Sequence, residues 1–219
     1  IFEPDGAMLR LPINLLITSD EGLADYNRRL HDPDADPFDM RQIAWLGRAT
    51  RPSTAVSALA FRNARQAAPS RANQQYLGLG QNLPVVGTLP STGTRGAYGT
   101  NVDAQCRWDV TQWSRPISAD ELVLARSAVG ENSATILTGA AFSDTAVRQR
   151  SDLNEYRIIH FATHGLVTAP SPDCPARPAL VTSFGDEDSD GLLTFQEIFD
   201  LKIDADLVIL SACDTAAAA

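Results

Sequence analysis

Two apolar runs in this chain end on residues that can do covalent chemistry together. Leu207, Val208, Ile209 and Leu210 lead through Ser211 and Ala212 to Cys213, and Ile158, Ile159, His160, Phe161, Ala162 and Thr163 lead to His164 and Gly165. If both runs are buried strands, their C-terminal tips set an imidazole beside a thiol at the edge of a parallel sheet where such folds hold their active sites. A thiolate with an acid/base partner is a nucleophile for acyl transfer. Cys213 is the reactive candidate, because thiolate chemistry needs an exposed tip beside a base. Cys106 and Cys174 are read as inert, cysteine being one of the most buried residue types. Of the three histidines, His31 falls in a polar loop and His160 shares a strand face with Ile158 and Ala162, as a packed, hydrogen-bonded residue would. His164 stands at the tip, where Gly165 lets the backbone turn away.

The elements that must carry these tips alternate along the chain. Residues 11–18 form an apolar run, residues 20–40 are polar, and the prolines of the acidic stretch 32–37 break regular structure. Val56, Leu59, Ala60 and Ala64 recur at helical spacing after Pro52 and Ser53, predicting a helix over 54–66. A strand is expected over 75–80, then a long connection over 81–117 rich in Gly, Pro, Ser and Thr; connections of that length are usually functional. Ser118 and Glu121 are spaced as a capping box opening a helix that Gly130 ends. A strand over 134–138 and a helix from Ser143 to about Leu153 deliver the chain to the His164 strand at Tyr156. Apolar strands alternating with helices predict an α/β fold, a mostly parallel sheet covered on both faces.

Cys213 lies 49 residues after His164, close to the spacing of about 50 in caspases. The wording around both residues, 160–165 and 210–215, resembles the CHAT family of caspase-like domains, which are usually fused to tetratricopeptide repeats. Residues 3–6 with Leu11 and Pro12, 76–80 and 190–198 resemble the same family in the same order, so the likeness spans nearly the whole chain. It implies a caspase-like three-layer sandwich in a single domain over 1–219, with a lead-in over 1–70 and a catalytic core over 71–219. It further implies a bacterial clan CD cysteine endopeptidase with a His164/Cys213 dyad that needs no cofactor. The backbone N–H groups of Gly165 and Cys213 would hold the oxyanion, where loss of one donor costs about 100-fold or more in rate. The implied partners are a protein or peptide substrate and a repeat domain that gates the site. Related peptidases that cut after basic residues often carry an acidic side chain two positions before the nucleophile. Here that position is Ser211, so Ser211 and Asp214 are carried forward as substrate-binding candidates with the preferred residue open. In the family further strands follow the cysteine, whereas six residues follow Cys213, and no Met opens the chain, so the domain is expected to be incomplete at both ends. A non-catalytic signalling or scaffold module with the same sheet is the alternative from another class.

A second chemistry competes for residues 186–197. Asp186, Asp188, Asp190 and Glu197 occupy the positions of a calcium loop. Such a loop needs a helix leading into it, however, and residues 178–185 read as strand or loop behind Pro178. The competing assignment is a turn at Gly191 and a capping box from Thr194 to Glu197 opening the helix 195–201; it is preferred, and no metal is expected.

Composition bounds what remains. The 219 residues, 44% apolar, suffice for one substantial core, and no stretch reaches the roughly 20 apolar residues of a membrane span. A net charge of −9 argues against nucleic acid and acidic partners, since phosphate binding needs clustered Lys and Arg. Three cysteines without CxxC spacing suggest neither a disulfide framework nor a zinc site, and the visible N-terminus shows no secretory signal. A cytoplasmic setting follows as the expectation.

Overall fold

The computed structural model describes residues 11–34, 36, 39–53, 55, 57–87, 108, 110–166, 173–174, 178–186 and 188–212. They belong to two compact units, 1–67 and 68–219. In the first unit a 3₁₀ turn, Ile13–Leu15, interrupts the apolar run, and Ile17 bridges Trp45. The polar stretch that follows contains a helix, α1 (Asp20–His31), which its pattern of charge explains better than its hydropathy. Ser19 caps Gly22 N, Asp20 and Glu21 sit in the first turn, and Arg28, Arg29 and His31 sit in the last, each sign matching the helix dipole. His31 is thus a helix-end residue and not a loop residue. A short α2 (Leu46–Ala49) follows, and α3 (Ala58–Gln66) begins at a Ser57 cap, four residues later than the periodicity suggested.

The second unit carries the catalytic candidates on a parallel sheet. Strand β1 (Gln74–Gly80) pairs on one side with β2 (Ala134–Leu137) and on the other with β3 (Tyr156–Ala162); β3 in turn pairs with β7 (Leu207–Ser211). The order is β2-β1-β3-β7, every pair parallel. Helices flank both faces around β1 and β3, as an apolar parallel sheet requires, but β7 is not the buried strand its apolar run predicted: it lies at the edge of the described sheet, paired only with β3, and Leu207, Val208 and Leu210 stay exposed. Leu77, Leu79, Ile159 and Phe161 point to one face, where Phe142, Val147, Leu153, Leu180 and Leu193 complete a core with Ile198 and Leu201. That face is closed by α6 (Asp144–Arg148) and α7 (Phe195–Asp200). The predicted run of α6 to Leu153 stops five residues short, because Ser151 and Asp152 are poor helix interior residues and the chain turns into a 3₁₀ segment, Leu153–Glu155, that buries Leu153.

The opposite face belongs to α5 (Asp120–Val129), ended by Gly130 at φ 105°. Its buried Leu122 packs on bare backbone, since a Cβ on Gly78 would lie 3.3 Å from Leu122 Cβ and one on Gly80 would lie 3.1 Å from its Cδ1. Two glycines in β1 therefore draw the first turn of α5 down onto the C-terminal end of the sheet. The connection after β1 includes α4 (Thr111–Ser114), whose Trp113 is buried and donates its indole N–H to the Gly191 carbonyl at 3.0 Å. A second, antiparallel sheet of β4 (Gly165–Leu166), β5 (Ala179–Val181) and β6 (Leu192–Thr194) was not foreseen from the alternation of elements. Among the described residues no helix is long and apolar enough to cross a membrane.

Candidate active site

His164 stands between the two sheets of the second unit, its backbone held on both sides. Thr163, buried just before it, donates its N–H to the Ser211 carbonyl at 3.2 Å and its hydroxyl to the Val181 carbonyl at 2.6 Å. The His164 carbonyl accepts the Val181 N–H at 2.9 Å. The ring Nε2 lies 2.7 Å from the Arg115 carbonyl. A carbonyl only accepts, so Nε2 carries the proton and Nδ1 is the basic nitrogen of the neutral ring.

Gly165 follows in β4, opposite Leu180. Since His164 and Val181 are hydrogen-bonded to each other, the alternation of an antiparallel ladder makes Gly165 and Leu180 a non-hydrogen-bonded pair. The Gly165 N–H therefore points away from β5 and is not consumed by the sheet.

On the α5 side of the sheet, a second group of residues forms a chain of hydrogen bonds. Strand parity and register put Tyr76, His160 and Ser211 on one face. Tyr76 Oη lies 3.0 Å from His160 Nδ1, His160 Nε2 lies 3.2 Å from Ser211 Oγ and 3.3 Å from Glu121 Oε1, and Ser211 donates its hydroxyl to Glu121 Oε1 at 2.6 Å. His160 is 3% exposed, and this burial lowers its pKa against the opposing pull of Glu121. The His160–Glu121 contact is accordingly a hydrogen bond from an uncharged ring to the carboxylate, not an ion pair, despite its distance. Burial, with the Glu121 charge, pushes Tyr76 up to about 12, so its phenol stays protonated. One direction satisfies every atom: Tyr76 O–H to Nδ1, Nε2–H towards Ser211 and Glu121, and Ser211 O–H to the carboxylate.

His160 is the packed, hydrogen-bonded residue its strand position predicted. Glu121 was not singled out for the site, because its spacing from Ser118 reads as a capping box. That box does not form: Ala119 is the N-cap without a side-chain bond, Ser118 Oγ instead accepts Asp120 N, and the Glu121 carboxylate turns to the sheet. Ser211, expected to meet substrate, spends its hydroxyl on Glu121.

The acidic stretch 186–197 is occupied by local structure. Asp186 Oδ1 accepts Asp188 N at 3.3 Å and Asp190 Oδ1 accepts Leu192 N at 3.0 Å. Glu197 completes the capping box with Thr194 and pairs through its other oxygen with Arg148 at 3.0 Å. The strand β5, not a helix, precedes the loop. Asp190 faces the buried Asp144, which accepts the Ser189 hydroxyl and the Asp190 N–H. Burial first, and the neighbouring Asp144 second, push Asp190 up to about 6, and burial also raises Asp144. These bonds fit the turn-and-cap assignment.

Cys213, Asp214 and Cys106 lie outside the described residues, as do residues 1–10 of the lead-in and 88–107 of the long connection. Cys174 corrects one expectation: it is disulfide-bonded, with its partner outside the described residues. Pairing follows proximity in the fold, to which sequence spacing is blind, so the cysteines no longer speak for a reducing compartment. In comparisons with known proteins, the family model of the CHAT domain matches residues 1–219. No curated protein and no solved structure matches the chain.

Proposed function

The chain belongs to the CHAT domain family, a group related to the caspase-like cysteine peptidases, and on that premise we propose that it is a cysteine endopeptidase domain using His164 and Cys213. One observation carries the reading. Ala162 pairs with Ser211, and Thr163 bonds the Ser211 carbonyl, so His164 and Cys213 each stand two residues beyond a paired position on adjacent parallel strands. Neighbouring strands in a sheet run about 4.8 Å apart. That both residues continue neighbouring strand ends by the same short distance in sequence is what supports reading them as one site.

The chemistry divides among these groups in order. His164 Nδ1 takes the Cys213 thiol proton while the Arg115 carbonyl holds Nε2–H and fixes the ring. The thiolate attacks the scissile carbonyl, and the negative charge gathering on its oxygen is met by the Gly165 N–H, free of the β4–β5 ladder, and by that of Cys213. His164 then gives its proton to the departing amine. Water, deprotonated by the same nitrogen, hydrolyses the thioester and restores the thiol. Gating by a tetratricopeptide-repeat partner, and a cytoplasmic setting, belong to the same proposal.

The test is covalent labelling by peptidyl acyloxymethyl ketones in the presence of dithiothreitol, so that no disulfide to Cys174 occupies a thiol, with the adduct mapped by mass spectrometry. The expected product is a thioether on Cys213, absent from Cys213→Ala and slowed about 100-fold or more in His164→Ala. Labelling no faster at Cys213 than at Cys106 or Cys174 rejects the assignment in favour of a non-catalytic module.

A further inference from the structure

We propose that Trp113 is a positioning residue for His164: its indole, seated on the Asp190–Gly191 turn, fixes the segment whose Arg115 carbonyl holds the imidazole in one tautomer and one orientation. The inference rests on the proteolytic reading above and adds a residue to its machinery. Its starting point is that the group bound to His164 Nε2 is a backbone carbonyl. Such an acceptor is only as fixed as the chain that carries it, and the chain before Arg115 is weak by itself. Helix α4 is a single turn of four residues with no side chain capping its start, whereas isolated helices shorter than about 12 residues are marginal in water. Its anchor must come from tertiary packing.

Trp113, two residues before Arg115, supplies that anchor. Its side chain is 2% exposed, clustered with Leu166 and Val181 and set against the Phe184 ring at a centroid distance of 5.6 Å. Its carbonyl accepts from Asn82 Nδ2 at 3.1 Å, and its indole N–H donates to the Gly191 carbonyl at 3.0 Å. The same Gly191 carbonyl takes the Thr182 N–H at 2.9 Å, and Thr182 follows Val181, whose N–H binds the His164 carbonyl. The bonds close a circuit from His164 through Val181 and Thr182 to Gly191, on to Trp113, and through Arg115 back to the His164 ring. One end of the circuit fixes the backbone of the histidine and the other fixes its side chain. Gly191 is at φ 74°, and a Cβ there would lie 2.8 Å from Trp113 Nε1, so a residue without a side chain is required both for the turn and for the seat. The acidic motif that competed as a calcium loop thus ends in a socket for the indole.

Two variants test this. Trp113→Phe keeps an aromatic ring and deletes the donor; Gly191→Ala keeps the indole and crowds its seat. Nitrogen-15 NMR of histidine-labelled protein, with the His164 signals assigned by their loss in His164→Gln, is run at about pH 8, where an ordinary imidazole is neutral. The parent is expected to show His164 in the Nε2–H form alone, and both variants a mixture of tautomers. A merely structural tryptophan would lower the folded fraction and leave the tautomer of the folded molecules as it was. In the reducing buffer above, the saturating rate of Cys213 labelling by the acyloxymethyl ketones is expected to fall about tenfold or more in both variants, since a misplacement of about 1 Å can cost 100-fold. The probe concentration giving half that rate is expected to stay the same, because the indole is buried. Variants that retain the parent's tautomer, or its labelling rate, overturn the positioning role and leave the peptidase standing. A parent in which His164 is a mixture or the Nδ1–H form overturns it without either variant. Absence of Cys213 labelling in the parent by every probe overturns the peptidase and this inference with it.

Discussion

Tyr76 Oη and His160 Nδ1 meet at 3.0 Å under the first turn of α5, one ring on β1 and the other on β3, edge to face with centroids 6.0 Å apart. Two adjacent strands are locked by a hydrogen bond that neither could make alone. Tyr76→Phe keeps the ring and deletes the donor, leaving a buried nitrogen unsatisfied. The expected loss is about 1–3 kcal/mol, read as a lower urea midpoint with an unchanged slope.

The same histidine sets a pH dependence. Burial holds the folded His160 pKa below its ordinary 6.5, so beneath that pH the unfolded chain binds the proton first. Stability contributed by the neutral ring is therefore present above about pH 6.5 and declines as pH falls towards the folded value. His160→Gln is expected to flatten this limb of the stability curve, measured by chemical unfolding at a series of pH values. An unchanged slope would assign the acid limb to other groups.

Asp190 acts in the opposite sense. Its pKa rises from 3.8 to about 6 because it is buried facing Asp144, with Glu197 adding negative charge and Arg148 paired to Glu197. The folded state then holds more protons than the unfolded chain between those values, and stability falls as pH rises through the window. Asp190→Asn retains an oxygen for the Leu192 N–H and removes the charge. In urea unfolding the variant is expected to exceed the parent by roughly 1–3 kcal/mol at about pH 8 and to match it near pH 3.5, because a tenfold change in proton affinity corresponds to about 1.4 kcal/mol.

Among the described glycines, Gly80 makes the closest approach to a neighbouring backbone. A Cβ there would collide with the Ala162 carbonyl oxygen and press on Leu122. Gly80→Ala is expected to cost about 1–3 kcal/mol and, by lifting α5, to weaken the hold of Ser211 on Glu121. Thermal unfolding reads the loss.

Residues 156–162 were legible as a buried parallel strand because apolar side chains on both faces admit few other structures, whereas 207–211, read the same way, pair in parallel but form an edge strand with Leu207, Val208 and Leu210 exposed. The helix at 120–129 announced itself by its Gly130 stop and the helix at 195–200 by its Thr194–Glu197 capping box, signals that act within four or five residues. For the same reason the family resemblance and the His164 and Cys213 candidates could be read from short motifs. The helix α1 escaped notice because it is polar throughout and its signals are charges, not periodicity. The short strands β4 and β6 escaped because two or three residues carry no period at all.

Taken alone, the order of residues determined the class of fold, its alternating elements and the two side chains that could do chemistry, all of which follow from local periodicity and motif wording. Tertiary structure decided what those side chains meet. Glu121 and Ser211 are 90 residues apart and His164 and Arg115 are 49 apart, and in each pair the contact exists only because strand register and two bare glycines seat α5 and its leading loop on the sheet edge. Pairing across such distances depends on the summed packing of the sheet, and a carboxylate whose spacing suits a helix cap is free to serve whichever partner the packing brings nearer.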